Sequence, residues 1–88
     1  MTATTHTTAS ARTRAELFAA IAAALAFPPH FGGNLDALYD MLRDLSWLPA
    51  GDHVLVVTAP DGVDAGVRRA LDDAERDNPR LRVVVTPG

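Results

Sequence analysis

Phe27-Pro28-Pro29-His30-Phe31-Gly32-Gly33-Asn34-Leu35-Asp36-Ala37-Leu38-Tyr39-Asp40-Met41-Leu42-Arg43-Asp44-Leu45 reads as a loop that feeds a short amphipathic helix. The two prolines stop whatever helix precedes them, since proline lacks a donor N–H and its ring clashes with the turn before it. Gly32-Gly33 permits a turn that side chains would obstruct, and Asn34 is placed to accept a hydrogen bond from an early helical N–H. Leu35, Leu38, Leu42 and Leu45 then line up on one side of a helix with about 3.6 residues per turn, which predicts its buried face.

Asp36, Asp40 and Asp44 recur every fourth residue on the opposite side, with Tyr39 on the flank between the two faces. Like charges at this spacing weaken an isolated helix by about 0.2–0.5 kcal/mol per pair, and only Asp36 is near enough to the N-terminus to gain from the helix dipole. Folding by itself therefore does not account for the stripe. Its plain structural reading is a solvated helix face. Against that reading stands a charge asymmetry, because six acids (Asp36, Asp40, Asp44, Asp52, Asp61, Asp64) face only Arg43 between His30 and Asp64. So concentrated a negative field suits a basic partner, whose encounter it speeds.

The chain around this stretch has 88 residues, 48% of them hydrophobic, enough for one modest core and too few for a second domain. It has no cysteine, which removes disulfides and thiolate metal sites and fits a reducing cytosol. The start, Met1-Thr2-Ala3-Thr4-Thr5-His6, lacks the basic and apolar regions of a secretion signal, and no stretch approaches a membrane span; the expected location is the cytoplasm. A net charge of −3 and an aspartate-lined helix argue against nucleic acid as a direct ligand, because phosphate binding needs clustered cations.

Residues 1–12 are Thr-rich without a large apolar side chain beyond Met1, and read as an edge strand or a disordered tail ahead of a domain spanning 13–88. Thr13-Arg14-Ala15-Glu16 has the form of a capping box and predicts a helix whose buried stripe is Leu17, Phe18, Ile21 and Leu25. Trp47 reads as an anchor that closes the core beneath the loop rather than as a binding residue. His53-Val54-Leu55-Val56-Val57-Thr58 is a continuous apolar run, predicting a central strand covered on both faces. Val63, Val67, Ala70, Leu71 and Ala74 give another helical stripe that ends before Asn78-Pro79, and Leu81-Arg82-Val83-Val84-Val85-Thr86 is the last strand. A strand, helix, strand order implies a parallel crossover, right-handed by the general rule. The fold class is α/β.

No P-loop, no dinucleotide fingerprint and no metalloprotease motif occur, and the chain offers neither Cys nor Lys as a nucleophile. The best enzyme reading has Asp36, Asp40 and His30 holding a divalent cation, but nothing points to a further ligand. An enzyme is not expected, nor is a cofactor.

The stretch quoted at the outset, continued by Ser46-Trp47-Leu48-Pro49, resembles the signature of the barstar family. The resemblance implies a small three-layer fold, a short, mostly parallel sheet of two or three strands with three to four helices. It also implies a function: inhibition of a small secreted ribonuclease, whose cationic, phosphate-binding cleft receives the acidic helix and the loop before it. Carried over by position, His30 stands for an aromatic that packs on the enzyme, Asp36 and Asp40 match the two helix aspartates, and Tyr39 replaces a tryptophan. Asp40 is the residue expected to matter most. Phe31, Gly32, Asn34 and Asp44 complete the expected contact surface, with Asp73 as the acid on the last helix or, with a shifted gap, Glu75. Gly33 and Asp44 depart from the founding member, which implies a different ribonuclease as partner of a chain expected to be monomeric when free. The competing reading is an acidic antitoxin-like module that binds some other basic protein.

Overall fold

A computed structural model describes residues 4–29 and 31–87; Thr2 and the expected binding residue His30 lie outside them. Six elements follow in order: β1 (Thr4–Ser10), α1 (Arg14–Ala24), α2 (Leu35–Asp44), β2 (Asp52–Thr58), α3 (Ala65–Asp77) and β3 (Leu81–Thr86). Each helix begins where a polar side chain takes up a backbone donor that the helix cannot satisfy itself. Thr13 accepts from the Glu16 N–H at 3.1 Å, Asn34 from that of Ala37 at 2.8 Å and Asp64 from that of Val67 at 2.8 Å. The first two caps agree with the sequence reading, and Asp64 adds a third.

The strands are parallel and lie in the order β1-β2-β3. The Thr-rich segment is thus an edge strand, in register with β2 from Thr4 opposite Asp52 to Ser10 opposite Thr58. It needs no large apolar residue, since its ladder to β2 satisfies the backbone and Ala9 is its one core contact, 3% exposed.

Three helices accompany this three-stranded parallel sheet, as expected of the α/β fold: α1 packs on β1, α3 packs on β3, and α2 packs on α3. Within β2, His53, Leu55 and Val57 are buried while Val54 and Val56 are only half-buried, and Val84 beside them on β3 is 48% exposed. The strand order gives the reason. It advances in one direction without reversal, so crossovers of one hand bring α1 and α3 to the same face, with α2 against α3. The apolar run of β2 was misread as covered on both sides because an unbroken run of valines carries no alternation to mark the open face.

Beneath the helices, Leu17, Phe18, Ile21 and Leu25 meet Leu38, Leu42 and Leu45, Val67, Leu71 and Ala74, and the sheet residues Leu55, Val57 and Leu81. α2 lies against α3 through a close approach at Gly66, where a side-chain carbon would come within 3.0 Å of Leu35 Cδ1. At the other end of α2, Leu45 adopts φ 51°, a left-handed conformation that strains a branched residue. Its side chain is fully buried. Burying a leucine is worth about 1.5–3 kcal/mol, against a backbone strain of about 1–2 kcal/mol, so the core contact prevails over the glycine that the backbone alone would favour.

Asn78 completes this end. It is 5% exposed, donates from Nδ2 to the Leu42 carbonyl at 2.9 Å and accepts from the Arg80 N–H at 3.0 Å through Oδ1. One side chain thereby pairs an orphan carbonyl at the C-terminus of α2 and sets the turn into β3. Asn78→Ala is expected to lower stability by about 1–3 kcal/mol, the range for leaving a buried polar group unpaired. Urea unfolding measures it, and a loss within experimental error would mean that water replaces both bonds.

Candidate functional site

The loop between α1 and α2 is held from within by aromatic rings. Phe18 meets Phe31 at 6.3 Å, Phe31 meets Phe27 at 5.0 Å and Phe27 meets Trp47 at 5.8 Å, all edge to face. Trp47 Nε1 donates to the Leu25 carbonyl at 3.0 Å, so this residue is the anchor that the sequence predicted. The Phe27 N–H donates to the Ala22 carbonyl at 2.9 Å and the Phe31 N–H to that of Pro28 at 3.1 Å. Gly33 has φ +69° with open space around its missing side chain. The glycine is required there by backbone angle and not by crowding.

These contacts sort the expected loop residues. Phe31 turns half-buried into the aromatic ladder, and Asn34 commits its side-chain oxygen to the helix cap. Gly32 is exposed. Phe31 and Asn34 therefore hold the loop's shape, while Gly32, Gly33 and Asn34 remain exposed ahead of Asp36.

On α2, Asp36, Asp40 and Asp44 are all exposed, as the leucine stripe on the other side requires. Asp40 has Arg43 at 3.6 Å; among the described residues neither Asp36 nor Asp44 has an ion pair. Asp73 lies across from this face on α3, lining a groove of about 420 Å³ with Asp36, Tyr39, Gly66, Arg69 and Arg76. Glu75 points elsewhere, accepting from the Val83 N–H on β3 at 2.6 Å. Of the two acids that the sequence left open on the last helix, only Asp73 shares a groove with Asp36 and Tyr39.

Tyr39 joins the two helices. Its hydroxyl donates to Asp77 Oδ2 at 2.5 Å, and Asp77 in turn receives Arg76 Nε at 3.2 Å, while Arg76 also reaches Asp73 at 3.3 Å. The Asp77 carboxyl is held below its usual range, first by the bond from Arg76 and then by that from Tyr39. The Tyr39 phenol is correspondingly raised, mainly by its bond to Asp77. Asp77 and Arg76 were missed at the sequence level because nothing in a chain separation of 38 residues marks the contact with Tyr39. Their only signal was the four-residue step from Asp73 to Asp77.

The arrangement offers exposed carboxylates on a braced helix, and among the described residues no group of three His, Cys, Asp or Glu is placed to hold a metal ion. No helix among them is long and apolar enough to cross a membrane. In comparison with known families, residues 1–84 match the one described as Barstar (barnase inhibitor). No curated protein matches the chain.

Because Tyr39 is the chain's one tyrosine, its ionisation is read directly from tyrosinate absorbance. It is expected above the ordinary phenol pH, and Asp77→Asn should return it toward the ordinary value. The linked stability has definite signs. With its folded pKa depressed, Asp77 contributes stability above its unfolded pKa and loses it as pH falls through the folded one; Tyr39, with its folded pKa raised, contributes below its unfolded pKa and loses it as pH rises through the folded one. Identical alkaline titrations of both proteins would show that the bond does not form in solution.

Proposed function

The chain belongs to the barstar family, and from that premise we propose that it inhibits a small secreted ribonuclease by laying the exposed face of α2, with the loop before it, into the enzyme's cationic cleft. The observation that carries this reading is the exposure of Asp36, Asp40 and Asp44 along one side of a helix whose other side is fixed in the core. Carboxylates so placed occupy the positions of substrate phosphates, and Asp73 lies close enough to Asp36 and Tyr39 to extend the same negative surface. His30, Gly32 and Tyr39 border it in the sequence. Such an inhibitor acts in the cytoplasm of the cell that makes the ribonuclease, protecting its RNA, and is not itself an enzyme.

The braced loop supports the reading too. A helix and loop already fixed by the Phe18, Phe31, Phe27 and Trp47 contacts lose little freedom on binding, so more of the interaction energy appears as affinity.

The test is capture from the source organism's secreted proteins, followed by titration of RNA hydrolysis. A small basic ribonuclease whose activity falls in proportion to added chain supports the proposal, whereas a captured basic protein without ribonuclease activity favours the antitoxin-like alternative. Asp40 is the decisive position. Asp40→Ala relieves two like-charge pairs and loses the exposed pair with Arg43, so its stability is expected to stay within about 0.5 kcal/mol of wild type, while binding weakens by about 2–5 kcal/mol as the partner's cation is left buried and unpaired. Asp40→Asn, which keeps shape and removes charge, should bind as poorly. Association should also slow steeply with salt, since a Debye length of about 10 Å at 0.1 M screens the steering field. Normal inhibition by a stable Asp40→Ala, or a salt-independent association rate, would move the site away from α2.

A further inference from the structure

Arg43 stands inside the surface that the proposed function needs to be negative. Its guanidinium lies 3.6 Å from the Asp40 carboxylate and 5.3 Å over the Tyr39 ring, and its side chain is more than half exposed. From the facing helix, Asp77 and Arg76 border the same region, Asp77 joined to Tyr39 and Arg76 paired with Asp73 and Asp77. Arg43 is thus the cation that α2 itself presents, next to the carboxylate expected to carry most of the binding.

Its placement follows from the helix. Residues 36, 39, 40 and 43 share one flank at three- and four-residue steps, so any side chain at 43 must lie beside both Tyr39 and Asp40. The ring and the carboxylate keep the guanidinium on that flank. A cleft lined by cations alone meets Asp36 and Asp40 favourably and Arg43 unfavourably. To bind, it must either accept a like charge at close range or displace the guanidinium from Asp40.

We propose that Arg43 is a specificity determinant of this face, set against ribonuclease clefts that bring a cation to α2 at this position. The inference rests on the proposed function and adds to it which members of that enzyme class the chain refuses. A repulsive element of this kind costs the intended complex little and a wrong one more, which is how discrimination arises where the attractive contacts are shared. Arg43 acts by its charge and touches no reacting group.

Purified barnase, the ribonuclease named in the family's description, is the probe. Its inhibition is titrated with the wild-type chain, Arg43→Gln, Arg43→Ala, Arg43→Lys and the double variant Arg43→Gln/Asp40→Ala. The two neutral variants are expected to inhibit barnase about tenfold more tightly than wild type, the size of one removed like-charge contact. Arg43→Lys should behave as wild type, and the gain should persist when Asp40 is also replaced, since the repulsion removed is with the partner's cations and not with Asp40. A cooperative thermal unfolding transition, shifted by no more than loss of an exposed ion pair and ring contact explains, shows that the variants are folded. Neutral variants that inhibit no better than wild type, a lysine variant that gains as much as they do, or a gain that disappears together with Asp40 would each overturn the inference. Failure of the wild-type chain to inhibit its own captured ribonuclease would instead count against the proposed function, and the two failures are read from separate titrations.

Discussion

Burial of Leu38, Leu42 and Leu45 determines how α2 is rotated about its axis, and most of what this chain displays depends on that rotation. A helix cannot turn one face into the core without turning the opposite face outward, so the same three leucines that stabilise the fold expose Asp36, Asp40 and Asp44. The coupling is rigid in both directions. A rotation of α2 large enough to hide the aspartates would bring leucines into water at about 1.5–3 kcal/mol for each side chain.

Because the acids repel one another, the helix that carries them is held by ties from outside its own sequence. Asn78 takes up the Leu42 carbonyl, Tyr39 reaches Asp77, and Gly66 lets α3 come close to Leu35. The loop that precedes α2 is held separately, by the run of rings from Phe18 to Trp47. Two independent supports thus flank one strained, charged element. The arrangement suits a surface whose shape must exist before its partner arrives, since ordering it on contact would subtract from affinity.

Charge on this surface is more finely distributed than a count of acids implies. Arg43 and Arg76 lie among Asp40, Asp73 and Asp77, while among the described residues Asp36 and Asp44 have no ion pair. A field of this shape selects orientation as well as sign, because a partner approaching at the wrong angle meets arginine instead of aspartate.

The sequence by itself determined the elements whose signal is local. The Thr13 and Asn34 caps, the leucine stripe with its acidic reverse, the Trp47 anchor and the resemblance carried by residues 27–49 all depend on residues within a few positions of one another, and the structure has each of these elements. What only the tertiary structure decided depends on elements distant in the chain. Whether the Thr-rich start forms a strand was settled by the free edge of β2, and which face of β2 is covered by a strand order that advances without reversal. Glu75 serves the β3 backbone while Asp73, two residues earlier, faces Tyr39, a difference set by the packing of α3 between α2 and the sheet. The bond from Tyr39 to Asp77 belongs to the same kind of fact. Helical spacing tells which residues of one helix share a face, but which face of one helix meets which face of another is decided only when both are buried against a common core.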